Sequence, residues 1–209
     1  MIHLKKTTWV FAGCLSAIAG FVDAAGFIKL GCLFVSFMSG NSTRLAVSLF
    51  RDPAAAAAPA SLIATFVLGA GLGSLLGHRA GKKRQPAVLL LVSVLLAAAA
   101  LAAAGGFGIA ATAAMVLAMG AENATFEQDG ETRIGVTYMT GALVKCGQRL
   151  AGALRGEALF AGLPYFLLWG GLVAGAFAGA FAYSHFGDNA LWAPSVAAAL
   201  LAAVAARKT

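Results

Sequence analysis

Apolar runs recur along the chain at about 8–28, 60–78, 87–104, 107–126, 162–183 and 190–206. Each is close to the ~20 residues an α-helix needs to cross roughly 30 Å of hydrocarbon. Between 87 and 126 the run is too long for one helix, and Gly105-Gly106-Phe107-Gly108 is the natural turn within it. Trp9 and Trp192 each open a span, where interfacial aromatic residues gather. Two further segments, about 32–50 and 134–154, depart from this pattern. The first contains VSFMSGNSTRL, residues 35–45, and the second VTYMTGALVKC, residues 136–146. Each sets small and polar residues and one cation among apolar neighbours.

Composition turns these runs into membrane helices. Of 209 residues, 60% are hydrophobic and 11% charged, whereas soluble domains are about half apolar and a quarter charged. Mean hydropathy is +0.85. The net charge of +7 is therefore read by side of the membrane. No basic groove with interleaved aromatics is present, so nucleic acid is not an expected partner. Cys14, Cys32 and Cys146 are isolated, and His3, His78 and His185 lie far apart. No ligand spacing is present, so neither a metal nor a cofactor is expected, and the cysteines read as small buried hydrophobes. The start, MIHLKKTTWVFAGCLSAIAG, resembles a signal peptide with Lys5, Lys6 and Ala17-Ile18-Ala19. It is expected to be kept as the first span, because the residues that follow belong to a repeated unit.

Positive charge selects a topology. If both ambiguous segments crossed, eight spans would put His78 to Arg84, the most basic loop, opposite Lys5 and Lys6. That violates the positive-inside rule. If neither crosses, this loop lies inside with Arg149, Arg155 and Arg207-Lys208, leaving Lys29, Arg51-Asp52 and the weakly acidic Ser184–Asn189 outside. The expected architecture is an all-α polytopic membrane protein with six transmembrane helices, two re-entrant or broken segments, and cytoplasmic N- and C-termini.

The polar segments belong to an internal repeat. Gly20-Phe21-Val22-Asp23-Ala24 aligns with Gly120-Ala121-Glu122-Asn123-Ala124 at an offset of 100. Val35 to Gly40 aligns with Val136 to Gly141 at 101, and Gly69, Gly73 and Gly77 align with Gly171, Gly175 and Gly179 at 102. The units are 1–104, with spans 8–28, 60–78 and 87–104 and the re-entrant segment 32–50, and 107–209, with spans 107–126, 162–183 and 190–206 and the segment 134–154. Three spans per unit invert the second copy, a build shared by many secondary transporters. The glycine ladders allow close helix approach, either within the chain or at a homodimer seam. Glu127 to Arg133 reads as a solvated charged turn.

Polar backbone at membrane depth is tolerated only where protein or a wet cavity surrounds it. Ser39-Gly40 loosens the backbone, and Asn41, Ser42 and Thr43 are expected N-caps for a helix through Leu45 to Phe50. Thr140-Gly141 precedes the corresponding helix, Leu143 to Leu154. Such helix N-termini attract anions. Each copy adds a cation just after the break, Arg44 and Lys145. Asp23, some 21 Å past Trp9 along a helix, corresponds to Asn123, with Glu122 beside it. Two acids and two bases sum to zero, as pairing across the copies (Asp23 with Lys145, Glu122 with Arg44) would have it. The alternative is that these charges only clamp the folded-in segments.

The motifs also resemble a known family. Ala19-Gly20-Phe21-Val22-Asp23-Ala24, followed by Phe34 to Thr43, is similar to the GFVDA and FVSFMTGN patterns of the YoaK-like family, a bacterial domain of unknown function. Glu122-Asn123-Ala124 and Thr137-Tyr138-Met139-Thr140-Gly141 resemble its GLQNA and TYxTG half, over nearly the whole chain. Ser39 stands where Thr is usual, and Ala121-Glu122 where Leu-Gln is usual. The resemblance implies a six-span protein of the bacterial inner membrane and supplies no activity.

The expected function is a transporter or channel for a small polar solute, anionic rather than cationic, held at the midplane between the copies. Asp23, Ser39, Gly40, Asn41, Ser42, Arg44, Glu122, Asn123, Thr140, Gly141 and Lys145 would form the site, with the bilayer and the solute as partners. A second class stays open, a non-transporting assembly partner or sensor whose intramembrane charges are structural salt bridges. An enzyme gains no support. No P-loop, nucleophile elbow, dinucleotide fingerprint or HExxH is present, and Ser39 or Ser42 near Asp23 has no histidine beside it.

Overall fold

A computed structural model describes residues 6–128 and 130–207. His3, Lys5, Asp129 and Lys208, which entered the readings of charge and histidine above, lie outside the described residues, as does the side chain of Lys6. The fold is all-α apart from one short hairpin. The six long apolar runs become α1 (Lys6–Lys29), α3 (Ala57–Ala80), α4 (Arg84–Ala104), α5 (Gly108–Glu122), α7 (Leu163–Phe186) and α8 (Trp192–Ala206). The two ambiguous segments become shorter helices, α2 (Met38–Arg51) and α6 (Met139–Ala153). The expected solvated turn holds two-residue strands, β1 (Glu127–Gln128) and β2 (Glu131–Thr132), pairing Glu127 with Thr132.

Both short helices start earlier than their polar residues imply. α2 begins at Met38 after Phe37, with no side-chain cap, so Asn41, Ser42 and Thr43 are not N-caps. Ser42 and Thr43 instead lie within the first turns and return their hydroxyls to the carbonyls of Met38 (2.8 Å) and Ser39 (3.2 Å). Back-bonding of this kind satisfies a hydroxyl inside a helix without help from another element. α6 likewise begins at Met139, before Thr140-Gly141.

Among the described residues, four stretches are long and apolar enough to cross a membrane: Thr7–Lys29, Pro53–Ala104, Gly108–Phe126 and Phe160–Ala206. The second and fourth, 52 and 47 residues, each contain two helices folded at a glycine. Gly81 (φ 54°) and Gly187 (φ 56°) reverse the chain there in a backbone conformation that side-chain-bearing residues rarely adopt.

Helix pairing is set by small residues. α1 packs on α7: a Cβ on Gly171, Gly175 or Gly179 would strike the backbone of Gly13, Ala17 or Phe21 respectively. The numbers rise together, so the helices run parallel. α3 packs on α5 in the same way, with Gly69 against Leu117 and Gly73 against Ala121. The ladders thus serve close packing within the chain. α4 lies against α5 and α8, where Ser93 and Ser195 each donate a hydroxyl to the other's carbonyl at 2.9 Å. The core gathers Leu15, Leu89, Leu96, Met115 and Met119, all fully buried. Large apolar side chains such as Leu68, Leu101, Phe177 and Leu200 cover the outer surface, which is how a chain solvated by hydrocarbon is built.

The contacts also correct the glycine alignment by about one turn. Gly69 meets Leu117 and Gly175 meets Ala17, and Leu117 and Ala17 are themselves 100 apart. The equivalent pairs are therefore Gly69 with Gly175 and Gly73 with Gly179, an offset of 106. Helices Ala57–Ala80 and Leu163–Phe186 repeat it at both ends, as do the 3-10 turns Pro53–Ala56 and Leu159–Gly162. One residue, Asp52, follows α2, whereas 154–158 follow the one-residue-longer α6. That adds five to the offset of 101.

Candidate functional site

The two polar motifs meet. A cleft of about 270 Å³ is lined from one side by Ser36, Phe37, Met38 and Ser39, and from the other by Thr137, Tyr138, Met139, Thr140 and Gly141, with Phe66 of α3 completing the wall. The first residues of α2 and α6 both lie in this lining, so two helix N-termini flank one space. Hydroxyls from both copies, thioethers and aromatic edges share the surface, an apolar-bodied pocket with a few polar groups.

Each loop is held by the helix before it. Asp23, some 9 Å before the end of α1, accepts the backbone N–H groups of Val35 (2.8 Å) and Ser36 (2.9 Å) through Oδ1. In the second copy Asn123 accepts the Thr137 hydroxyl at 3.0 Å and donates to the Met119 carbonyl at 3.1 Å. Ser16 of α1 reaches across to donate to the Val136 carbonyl at 2.9 Å, tying the second loop to the first unit. Asn41, fully buried, clasps the backbone of Phe34, accepting its N–H at 3.0 Å and donating to its carbonyl at 2.7 Å. Gly40 leaves room for the Phe34 and Phe37 rings.

Of the eleven residues expected at the site, Ser39, Thr140 and Gly141 line the cleft. Asp23, Asn123, Asn41 and Gly40 support its walls. Ser42 turns back on its own helix. Arg44 and Lys145 stand apart from it: Arg44 lines a separate cavity of about 540 Å³ with Gly31, Ala55 and Pro59, and the Lys145 ammonium lies 5.2 Å from the centroid of the Tyr165 ring. Glu122 is fully buried on α5, and neither carboxylate oxygen has a hydrogen-bond partner among the described residues. The expected pairs Asp23–Lys145 and Glu122–Arg44 do not form. Described ion pairs lie at helix ends instead, Lys29–Asp188 at 2.5 Å, with the Tyr183 hydroxyl donating to the same carboxylate at 3.1 Å, and Arg84–Glu127 at 3.2 Å. Ser36, Phe37, Met38, Thr137, Tyr138 and Met139 line the cleft without having been singled out. Their signal was present, since all six fall inside the repeated motif, whereas nothing in the sequence marks Phe66.

Comparison with known proteins follows the same motifs. The profile of a family described as "Protein of unknown function (DUF1275)" matches residues 11–204. The chain belongs to the DUF1275 family. This is the family that the GFVDA-like and FVSFM-like motifs resembled. A UPF0700 transmembrane protein of Rhizobium meliloti (strain 1021) is 41% identical over 209 aligned positions, covering 91% of this chain and 83% of that protein. No solved structure matches. This DUF1275 chain is therefore an all-α membrane protein whose motif residues converge on one cleft.

Proposed function

We propose that the protein is a membrane transporter or channel that passes a small polar solute, of anionic class, through the cleft between its two units. The observation that carries this reading is that both copies of the motif line the same 270 Å³ space. Two helix N-termini and hydroxyls from both copies favour an anion there. Asp23 has an architectural part in this reading, since its contacts are backbone amides of its own copy. A non-transporting scaffold would need no space between the loops.

In the same reading the chain crosses the bilayer six times as two inverted units, with both termini on the cytoplasmic side of a bacterial inner membrane. α1 runs parallel to α7 and α3 to α5, as inverted copies exchanging partners would. α2 and α6 start at the shared cleft, and in this reading they run from it to opposite faces. A single cysteine at the exposed Ala55, in protein lacking Cys14, Cys32 and Cys146, is expected to react with an impermeant thiol reagent in intact cells. Reaction only after lysis would make α2 a full crossing and the units parallel.

Flux tests the conduit itself. A Cβ on Gly141 meets no atom within 4 Å, so Gly141→Trp fills the cleft without disturbing a helix contact. Purified protein in liposomes is expected to pass at least one of chloride, nitrate, formate or bicarbonate. Gly141→Trp should lower that flux at least ~tenfold, about 1.4 kcal/mol of added barrier, with an unchanged elution profile. Flux that survives this plug removes the cleft from the path.

A further inference from the structure

The largest cavity among those described here, about 1030 Å³, is not the cleft. It lies where the C-terminal end of α3, the start of α4 and the β1–β2 hairpin meet, at the face carrying the basic loop. Its described lining includes three cations, Lys82, Arg84 and Arg133, the imidazole of His78, and one carboxylate, Glu127. The carboxylate is already occupied. Its Oε1 accepts the Ser74 hydroxyl at 3.0 Å and its Oε2 faces Arg84 Nη1 at 3.2 Å. Arg84 is itself positioned. The same Nη1 reaches the Ala124 carbonyl at 3.5 Å, and Gly77 leaves the space in which the guanidinium lies, since a Cβ there would sit 2.8 Å from Nη1. The N-terminus of the 21-residue helix α4 opens into the same cavity at Arg84 and Gln85, adding backbone dipoles that favour an anion. Beside these polar groups, Leu75, Phe126 and Ile134 supply apolar wall.

We infer that this cavity binds a phosphate-bearing anion, and that its source is the headgroup of an anionic phospholipid. A polar, cationic mouth beside apolar wall at the end of membrane helices matches a molecule with a phosphate next to acyl chains. Basic pockets between spanning helices bind such headgroups. The inference is independent of transport, since the cavity shares no lining residue with the cleft.

The test uses full-length protein in a neutral detergent, titrated calorimetrically with short-chain phosphatidylglycerol, short-chain phosphatidylcholine and inorganic phosphate. Phosphatidylglycerol is expected to bind in preference to phosphatidylcholine. Lys82→Gln should weaken it about fivefold, the effect of one cation near an anionic surface, and Lys82→Glu should weaken it further. Lys82 is exposed in the turn before α4, and Lys82→Arg, which keeps the charge, should restore binding. Inorganic phosphate binding with the same dependence on Lys82, without phosphatidylglycerol, would keep the phosphate site and overturn the lipid source. Equal binding of both lipids, binding indifferent to Lys82→Glu, or no binding of any probe would overturn the inference.

Discussion

Gly175→Ala is expected to leave little folded protein. A Cβ at this position would sit on the Ala17 carbonyl oxygen, with the Ala17 carbonyl carbon and Cα at 2.6 and 2.7 Å. These are backbone atoms of a packed helix, so no rotamer change relieves the overlap. α1 must move away from α7, and the neighbouring contacts at Gly171, Gly179 and Gly20 open with it. Overpacking of cores costs roughly 1–3 kcal/mol and more where nothing yields, and this site belongs at the upper end or above it. Gly170→Ala, on the same helix, is the control, because a Cβ there meets nothing within 4 Å. It should be neutral or stabilising by up to about 1 kcal/mol, the helix propensity gained. Monodisperse yield and the thermal midpoint followed by tryptophan fluorescence separate the two. Equal behaviour would mean that α1 and α7 are not in this contact.

The long apolar helices were legible because each is a run of apolar residues, with glycine closing α3, α4 and α7, a signal that needs no tertiary information. The convergence of VSFMSG and VTYMTG was legible for a different reason: duplication wrote the same polar surprise twice. The starts of α2 and α6 were not, because Ser, Asn and Thr favour caps in isolation, while here Asn41 is used by the loop behind it to clasp Phe34. The register of the glycine ladders failed at the longer connection after α6, since small residues recur every fourth position and any slip of one turn looks equally good. The charges misled most. A sum of zero over Asp23, Glu122, Arg44 and Lys145 invited pairing, but long cationic side chains on short helices can turn outward. Arg44 and Lys145 do so, and ion pairing went to Lys29–Asp188 and Arg84–Glu127, residues that belonged to unremarkable helix ends and loops.

Glu122→Val is expected to give a more stable protein and, on the proposed transport function, a lower flux. Glu122 is wholly buried with both carboxylate oxygens unpartnered among the described residues, and a carboxyl group without hydrogen bonds is costly to bury in either protonation state. The first unit shows what packing alone prefers: the equivalent position, 100 residues earlier, is Val22, also fully buried. Valine should therefore fit, raising stability by about 1–2 kcal/mol and the thermal midpoint by a few degrees. Carboxyl groups kept inside a membrane domain against this cost usually serve ion or proton movement, and α5 joins the cleft-lining helix α3 through Gly120, against Phe66 and Ala70. Loss of flux with a raised midpoint in Glu122→Val, and loss of flux with a smaller gain in Glu122→Gln, would place the carboxyl in the transport cycle. A lowered midpoint would mean instead that Glu122 holds a stabilising partner, and a raised midpoint with intact flux would make it a structural burden that transport does not use.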